Sequence, residues 1–223
     1  MATIFLMPNP INSDLEFIGR KVKDILKSSD FVIGEERKNT LRFLAGIDLR
    51  GKDFYLLNEH TDYDEKFKLA KKVSESNSAV LFSDAGTPCV SDPGYDFIDL
   101  CYSLNIKVKT LCFESSIMAA LSASGFYAEK FVYAGFPPIK GDERKNFFKN
   151  LPINNMTTIF LERPYSIKKI TDELKVVKNR IFIHQNIGFK EETFLRGFYK
   201  EIEKKRDLLT KAPFAVVIEG NNA

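Results

Sequence analysis

Along the first half of the chain, short apolar runs alternate with longer segments whose apolar residues recur every three or four positions. The runs at 3–7, 31–34, 54–57, 79–82 and 108–112 are too short for independent helices and are predicted as buried strands. The first of them is ended by Pro8-Asn9-Pro10. The intervening segments predict helices. Asp14 can cap one whose apolar positions are Leu15, Ile18, Val22, Ile25 and Leu26. A second covers 36–44, with Gly46 just past its end, and two more cover 63–76 and 95–104. Strands alternating with helices in this way build a mostly parallel α/β sheet.

The second half uses the same elements in a different order. A helix at 116–124 ends at Gly125, and helices are predicted at 142–150 and 167–177. Strand patterns stand at 131–134, 157–161, 180–184, 192–197 and 214–219. Late strands follow one another with no obvious helix between them, which predicts a mixed sheet. The change of pattern places a boundary near 112–116. It divides an N-terminal α/β domain, 1–112, from a C-terminal α/β domain, 113–223. The charged run at 201–207 is predicted as a solvated helix face.

Composition narrows the function classes. A chain of 223 residues with 44% hydrophobic and 28% charged residues buries a sizeable core, so intrinsic disorder is excluded. No stretch approaches the roughly 18 apolar residues of a membrane span. The apolar opening at 1–7 is too short for a secretory signal and lacks a basic lead-in, so a cytoplasmic protein without a membrane partner is expected. A net charge of +3 permits a nucleic-acid partner without requiring one. Three cysteines without a Cys-x-x-Cys pair, and only two histidines, argue against a disulfide framework and against a zinc or other metal centre. With 20 Phe and no Trp, the core is expected to be rich in Phe.

Candidate chemistry concentrates after strands. Residues 83–94 (Ser-Asp-Ala-Gly-Thr-Pro-Cys-Val-Ser-Asp-Pro-Gly) join a predicted strand to a predicted helix, the position at which α/β sheets bind ligands. Small residues allow close approach to the backbone, and Asp84 and Asp92 can accept hydrogen bonds. The same residues are ordinary turn chemistry, so spacing alone leaves both readings open. The loop is neither a Walker phosphate loop nor a Gly-x-Gly-x-x-Gly fingerprint. Glu35 and Glu36 follow a strand, where they can serve as bases or simply favour a helix N-terminus. His60 also follows a strand and is a further base candidate, though a surface histidine is the plainer reading. The segment around Lys140, Arg144 and Lys145, with Arg163, can meet phosphates or be an exposed helix start.

Taken together, residues 83–94 resemble the signature loop of the ribosomal RNA small-subunit methyltransferase I family, within the tetrapyrrole methylase superfamily. The likeness extends to Glu35-Glu36-Arg37-Lys38-Asn39-Thr40, Asn58-Glu59-His60, Ala120-Leu121-Ser122-Ala123-Ser124-Gly125, Gly135-Phe136-Pro137-Pro138 with Lys140, and Phe194-Leu195-Arg196-Gly197. The chain is identified as a short, divergent member. Cys112-Phe113-Glu114-Ser115 stands where the family has Pro-Gly-Pro-Ser, and Gln185-Asn186-Ile187-Gly188-Phe189 where it has Arg-Glu-Leu-Thr-Lys. The resemblance implies two α/β domains with S-adenosylmethionine in the cleft between them. It implies 2′-O-methylation of a cytidine ribose in small-subunit ribosomal RNA, and a homodimer. Carried over, Pro8, Asp84, Ala85, Gly86, Thr87, Ser115, Ser116 and Leu161 are expected at the cofactor. Glu36 is expected at the reacting hydroxyl, with Glu35 or His60 as alternatives, and Arg37, Lys140, Arg144 and Arg163 at the substrate. Two other readings stand beside this one: a methyltransferase for a tetrapyrrole or other small molecule, and a non-catalytic RNA-binding paralogue.

Overall fold

Strands that are apolar at almost every position need cover on both faces. The computed structural model describes residues 1–10, 15, 18–111 and 115–221, and it divides into two units, Met1–Ser115 and Ser116–Ala223. In the first unit, β1 (Thr3–Met7), β2 (Phe31–Gly34), β3 (Phe54–Leu56), β4 (Ser78–Phe82) and β5 (Lys107–Thr110) form one sheet in the order β3-β2-β4-β1-β5. Every pairing is parallel. Alternation along the strands divides their side chains between two helical layers. Phe31, Ile33, Ala79 and Leu81 pack with Leu69, Val73 and Phe97 of α3 (Tyr63–Ser74) and α4 (Tyr95–Ser103). Met7, Val32, Val80 and Phe82 pack with Val22, Leu26, Phe43 and Leu44 of α1 (Arg20–Ser28) and α2 (Arg37–Gly46).

The strand order explains this division. The connections β1→β2 and β2→β3 run towards one edge, whereas β3→β4 and β4→β5 run towards the other. Right-handed crossovers therefore put α1 and α2 on one face and α3 and α4 on the opposite face. Strand β4 lies between β1 and β2, and its chain leaves in the direction opposite to both. Such a switch opens a crevice beyond the carboxyl ends of the strands.

The second unit carries α5 (Ser116–Ser124), β6 (Phe131–Tyr133), α6 (Gly141–Lys149), β7 (Thr157–Glu162), α7 (Ile167–Glu173), β8 (Ile181–Gln185), β9 (Thr193–Gly197), α8 (Tyr199–Lys204) and β10 (Phe214–Ile218). Its sheet has the order β6-β7-β10-β8-β9. Only β6–β7 is parallel, and β10 runs antiparallel between β7 and β8, so the sheet is mixed. Helix α5 covers one face through Ala120 and Leu121. Phe148, Ile170 and Ile202 of α6, α7 and α8 cover the other. Phe82, Phe97, Phe160 and Phe182 are fully buried, so phenylalanine does fill the cores. Phe160 meets the ring edges of Phe147 and Phe148 at 5.4 and 5.9 Å between centroids.

Element boundaries differ from the sequence expectation where local chemistry intervenes. Helix α1 begins at Arg20, because Gly19 holds extended backbone at its N-cap; Asp14 lies outside the described residues. Gly46 is the last residue of α2 rather than the first beyond it. The single helix expected over 167–177 is α7 followed by a 3-10 turn at Leu174–Val176. The charged face at 201–207 is anchored by Ile202, which is 1% exposed. Residues 112–114, where the domain boundary was expected, lie outside the described residues.

Candidate functional site

Three loops meet at the carboxyl end of β4. They follow β1 at Pro8 and Asn9, β2 at Glu35 and Glu36, and β4 itself from Ser83 to Gly94. The backbones of Asn9 and Gly86 exchange hydrogen bonds of 2.9 and 2.8 Å. Asn9 Nδ2 also donates to the carbonyl of Asp84 at 3.0 Å. Ser83 Oγ donates to the Gly86 carbonyl at 3.0 Å and tightens the turn. Gly86 has φ +76°, with open space where a Cβ would stand. Gly94 has φ +121°, and a Cβ there would come within 3.1 Å of Cys89 Sγ. Cys89 and Ser91 hold left-handed backbone at φ 66° and 62°. Strain of that kind in non-glycine residues clusters at functional sites.

The loop brings carboxylates together. Glu35 Oε2 accepts from the Asp84 backbone N–H at 3.1 Å. Asn39, in the first turn of α2, donates to Asp84 Oδ2 at 2.5 Å and to Glu36 Oε2 at 2.7 Å. One amide thus ties the exposed Glu36 to the half-buried Asp84. The other oxygen, Asp84 Oδ1, is buried and has no hydrogen-bond partner among the described residues. Burial raises the Glu35 carboxyl; the Asp84 N–H opposes this, and the charges of Asp84 and Glu59 add to it. Burial, with the charges of Glu35 and Asp84, pushes Asp92 up to about 7. A cluster of half-buried acids with an unpartnered oxygen repels anions and favours a cation. Burial also pushes the thiols of Cys89 and Cys101 to about 11 and about 12, so neither offers a thiolate nucleophile. Among the described residues, no group of His, Cys, Asp and Glu is arranged to hold a metal ion.

His60 does not join this cluster. Its side chain is 86% exposed, its nearest charged partner is Glu59 at 3.7 Å, and it lines a hollow with Tyr55, Thr61, Glu65 and Lys68 along α3. The turn Asn58–Thr61 sets that direction, with His60 N donating to Asn58 Oδ1 at 3.0 Å. Glu59 is the residue of this turn whose charge reaches Glu35.

In the second unit, Arg144 is not a phosphate ligand. It is 4% exposed and its guanidinium is fully engaged. Nε and Nη2 donate to Glu173 at 2.7 and 2.8 Å, Nη2 also to Glu162 at 2.9 Å, and Nη1 to the Pro138 carbonyl at 2.7 Å. The arginine fastens the Gly135–Pro138 loop to the core, a role that a basic residue in a run of charges does not announce. Lys140 is exposed at the N-cap of α6. Arg163 stacks over Phe136 at 5.6 Å and stands 3.5 Å from Glu162. Arg37 is exposed and lies over the Phe54 ring at 5.3 Å.

Leu161 pairs with Ala215, Ala215 with His184, and His184 with Phe194, so these four form one row across the second sheet. His184 is 3% exposed; its Nε2 bonds to Glu192, and its Nδ1 is buried without a partner. Asp84 Oδ1 and His184 Nδ1 are the two buried side-chain polar atoms without a partner among the described residues. Sequence reading missed Asn9, Asn39 and the His184–Glu192 pair. Asn39 stands inside the Glu35–Thr40 segment, and its spacing from Glu36 is the one signal that could have found it.

Comparison with known proteins adds a family. The profile of the Tetrapyrrole (Corrin/Porphyrin) Methylases matches residues 13–203. A protein of Vibrio cholerae, "Ribosomal RNA small subunit methyltransferase I", is 33% identical over 78% of this chain and 60% of its own. Its namesake from Streptococcus pyogenes serotype M6 is 32% identical over 90% of this chain and 70% of its own. Among solved structures, a diphthine synthase superposes with a TM-score of 0.73 over 97% of this chain and 89% of its own, at 15% identity, a likeness of fold.

Proposed function

The chain belongs to the tetrapyrrole methylase family and, within it, to the ribosomal RNA small subunit methyltransferase I proteins, and from that premise we propose that it methylates a ribose 2′-hydroxyl in small-subunit ribosomal RNA with S-adenosylmethionine. The observation that carries this reading is the acidic pocket with its unpartnered Asp84 Oδ1. S-adenosylmethionine carries an ammonium group and a sulfonium, and Glu35, Asp84 and Asp92 form a surface that suits such cations. When bound, the cofactor supplies a methyl group on a positively charged sulfur. Asp84 holds the cationic end; Pro8 and the Ala85-Gly86-Thr87 backbone line the pocket. Gly86, having no side chain and open space in front of it, lets the ligand lie against the main chain. Ser115, at the end of the same unit, completes the contacts.

A ribose hydroxyl is a weak nucleophile, so a group that accepts or orients its proton speeds transfer. Glu36 takes that part, held in place by Asn39, and Glu35 is the alternative. Arg37, Lys140 and Arg163 meet RNA phosphates. The protein works in the cytoplasm on small ribosomal subunits as a homodimer. No helix among the described residues is long and apolar enough to cross a membrane.

Calorimetric titration with S-adenosylmethionine tests the pocket. Micromolar binding by the natural chain, lost in Asp84→Ala, is the expected result; no binding by the folded chain contradicts the reading. Glu36→Gln keeping the full single-turnover rate with bound cofactor removes Glu36 from the proton-accepting role.

A further inference from the structure

The two helical layers of the first sheet differ sharply in charge. Helix α1 carries Arg20, Lys21, Lys23 and Lys27 against the single acid Asp24. Helix α2 carries Arg37, Lys38 and Arg42 and no acid, and Arg50 follows it. The opposite layer is balanced: Lys66, Lys68, Lys71 and Lys72 of α3 stand against Asp64 and Glu65 of α3 and Asp96 and Asp99 of α4. There the charges also neutralise each other locally, as in the 2.7 Å pair of Lys66 and Asp96. Among the described residues, no cation of α1 or α2 has a carboxylate within ion-pair distance. Most of them are exposed.

Their placement also works against the helices that carry them. The first turns of α1 and α2 contain no acidic residue. Arg20, Lys21, Arg37 and Lys38 stand instead at the positive ends of the helix dipoles, where cations are unfavourable. Helix stability therefore does not account for this pattern, whereas an external anion does: helix N-termini and cations together form an anion-attracting rim. Each N-terminus comes after the carboxyl end of the strand before it, β1 for α1 and β2 for α2, and that of α2 is tied through Asn39 to Glu36 and Asp84. From there α2 runs about 15 Å away from the site, at about 1.5 Å per residue, with Arg42 along it and Arg50 beyond.

We propose that the α1/α2 layer is the surface on which the phosphate backbone of the acceptor RNA lies, guided by the rim of Arg20, Lys21, Arg37 and Lys38 into the acidic site. The proposal rests on the RNA-methyltransferase reading and adds the track by which the RNA arrives. Arginine and lysine neutralise phosphates without reading sequence, so this layer supplies affinity and direction while the pocket supplies chemistry.

The test uses the full chain and a fluorescein-labelled single-stranded RNA of 30 nucleotides, followed by anisotropy across a salt series. One variant reverses Lys27, Arg42 and Arg50 together (Lys27→Glu, Arg42→Glu, Arg50→Glu), which lie beyond the first turns of α1 and α2. The control reverses Lys68 and Lys71 on the opposite layer. With three phosphates no longer neutralised, the slope of log affinity against log salt falls by about 2, at roughly 0.7 per phosphate for single strands. Affinity at low salt falls at least tenfold in the triple variant, while the control binds as the natural chain does. An unchanged urea midpoint and S-adenosylmethionine affinity exclude misfolding. Equal RNA binding by the triple variant and the natural chain overturns this surface and leaves the methyltransferase reading intact. A natural chain that binds S-adenosylmethionine but neither this RNA nor small ribosomal subunits overturns the RNA reading and this surface with it. Binding to phosphatidylserine vesicles in place of RNA likewise overturns it.

Discussion

Replacing Asp92 with Asn isolates the electrostatic cost of the acidic pocket. The amide nearly matches the carboxyl in shape and keeps a hydrogen-bonding group beside Ser83, but it cannot ionise. In the native pocket Asp92 titrates at about 7 rather than 3.8, chiefly because it is partly buried and secondarily because Glu35 and Asp84 face it. The native carboxyl holds its proton more tightly than the unfolded chain does, so it favours folding at low pH. That contribution is fully present below pH 3.8 and is lost as pH rises through about 7. Full conversion of such a difference, at ~1.4 kcal/mol per tenfold change in proton affinity, gives roughly 4 kcal/mol. Solvent reaching this half-buried group screens the effect to about 2 kcal/mol. Asp92→Asn is therefore expected to stabilise the protein by about 2 kcal/mol at pH 8 and to change it by under ~0.5 kcal/mol at about pH 3, below the unfolded value of 3.8. Urea unfolding at the two pH values, read as the shift in midpoint at constant slope, measures both. Equal effects at the two pH values, or destabilisation at pH 8, would refute the argument that ionised Asp92 is held at a cost.

Two further outcomes follow from interactions elsewhere. Arg144→Ala removes the buried cation that bridges Glu162 and Glu173, leaving Glu162 only the partly exposed Arg163 at 3.5 Å, and is expected to destabilise the protein by about 3–5 kcal/mol; Arg144→Lys recovers little, because a single ammonium cannot replace the fork on Glu173. Urea midpoints of the two variants check this. Gly94→Ala asks an alanine to adopt φ +121° and to crowd Cys89 Sγ, with an expected loss of about 1–3 kcal/mol in thermal or urea unfolding and weakened cofactor binding.

The sheet framework was legible because its signal is strong and local. Apolar runs such as Phe31–Gly34 and Ser78–Phe82 have every residue, or all but one, buried, which is what a strand covered on both faces requires. Boundaries were less legible. The start of α1 depends on extended backbone at Gly19 and not on a capping side chain. The loop after β4 was found because small residues, prolines and carboxylates between a strand and a helix narrow its possible uses. Side-chain destinations were not legible. Arg144 and Lys145 are neighbours in one basic run, yet Arg144 is sunk between two glutamates, while Lys145 is exposed and bonds to Asp142. Nothing in the spacing separates them, because burial is decided by the tertiary position of Glu162 and Glu173. His60 fails for the same reason: following a strand places its backbone near the crevice, but the turn at 58–61 directs the ring towards α3. The charge difference between the two helical layers became visible only when the strand order assigned α1 and α2 to one face.

The central claim is methyl transfer from S-adenosylmethionine to a ribose of small-subunit RNA, and a transfer assay tests it most directly. Small ribosomal subunits lacking the modification are incubated with the purified chain and S-adenosylmethionine labelled in the methyl group, and the RNA is digested to nucleosides. The account predicts label in a single 2′-O-methylated nucleoside, absent with Asp84→Ala. Cofactor binding without label in the RNA, or label on a base rather than a ribose, would contradict it.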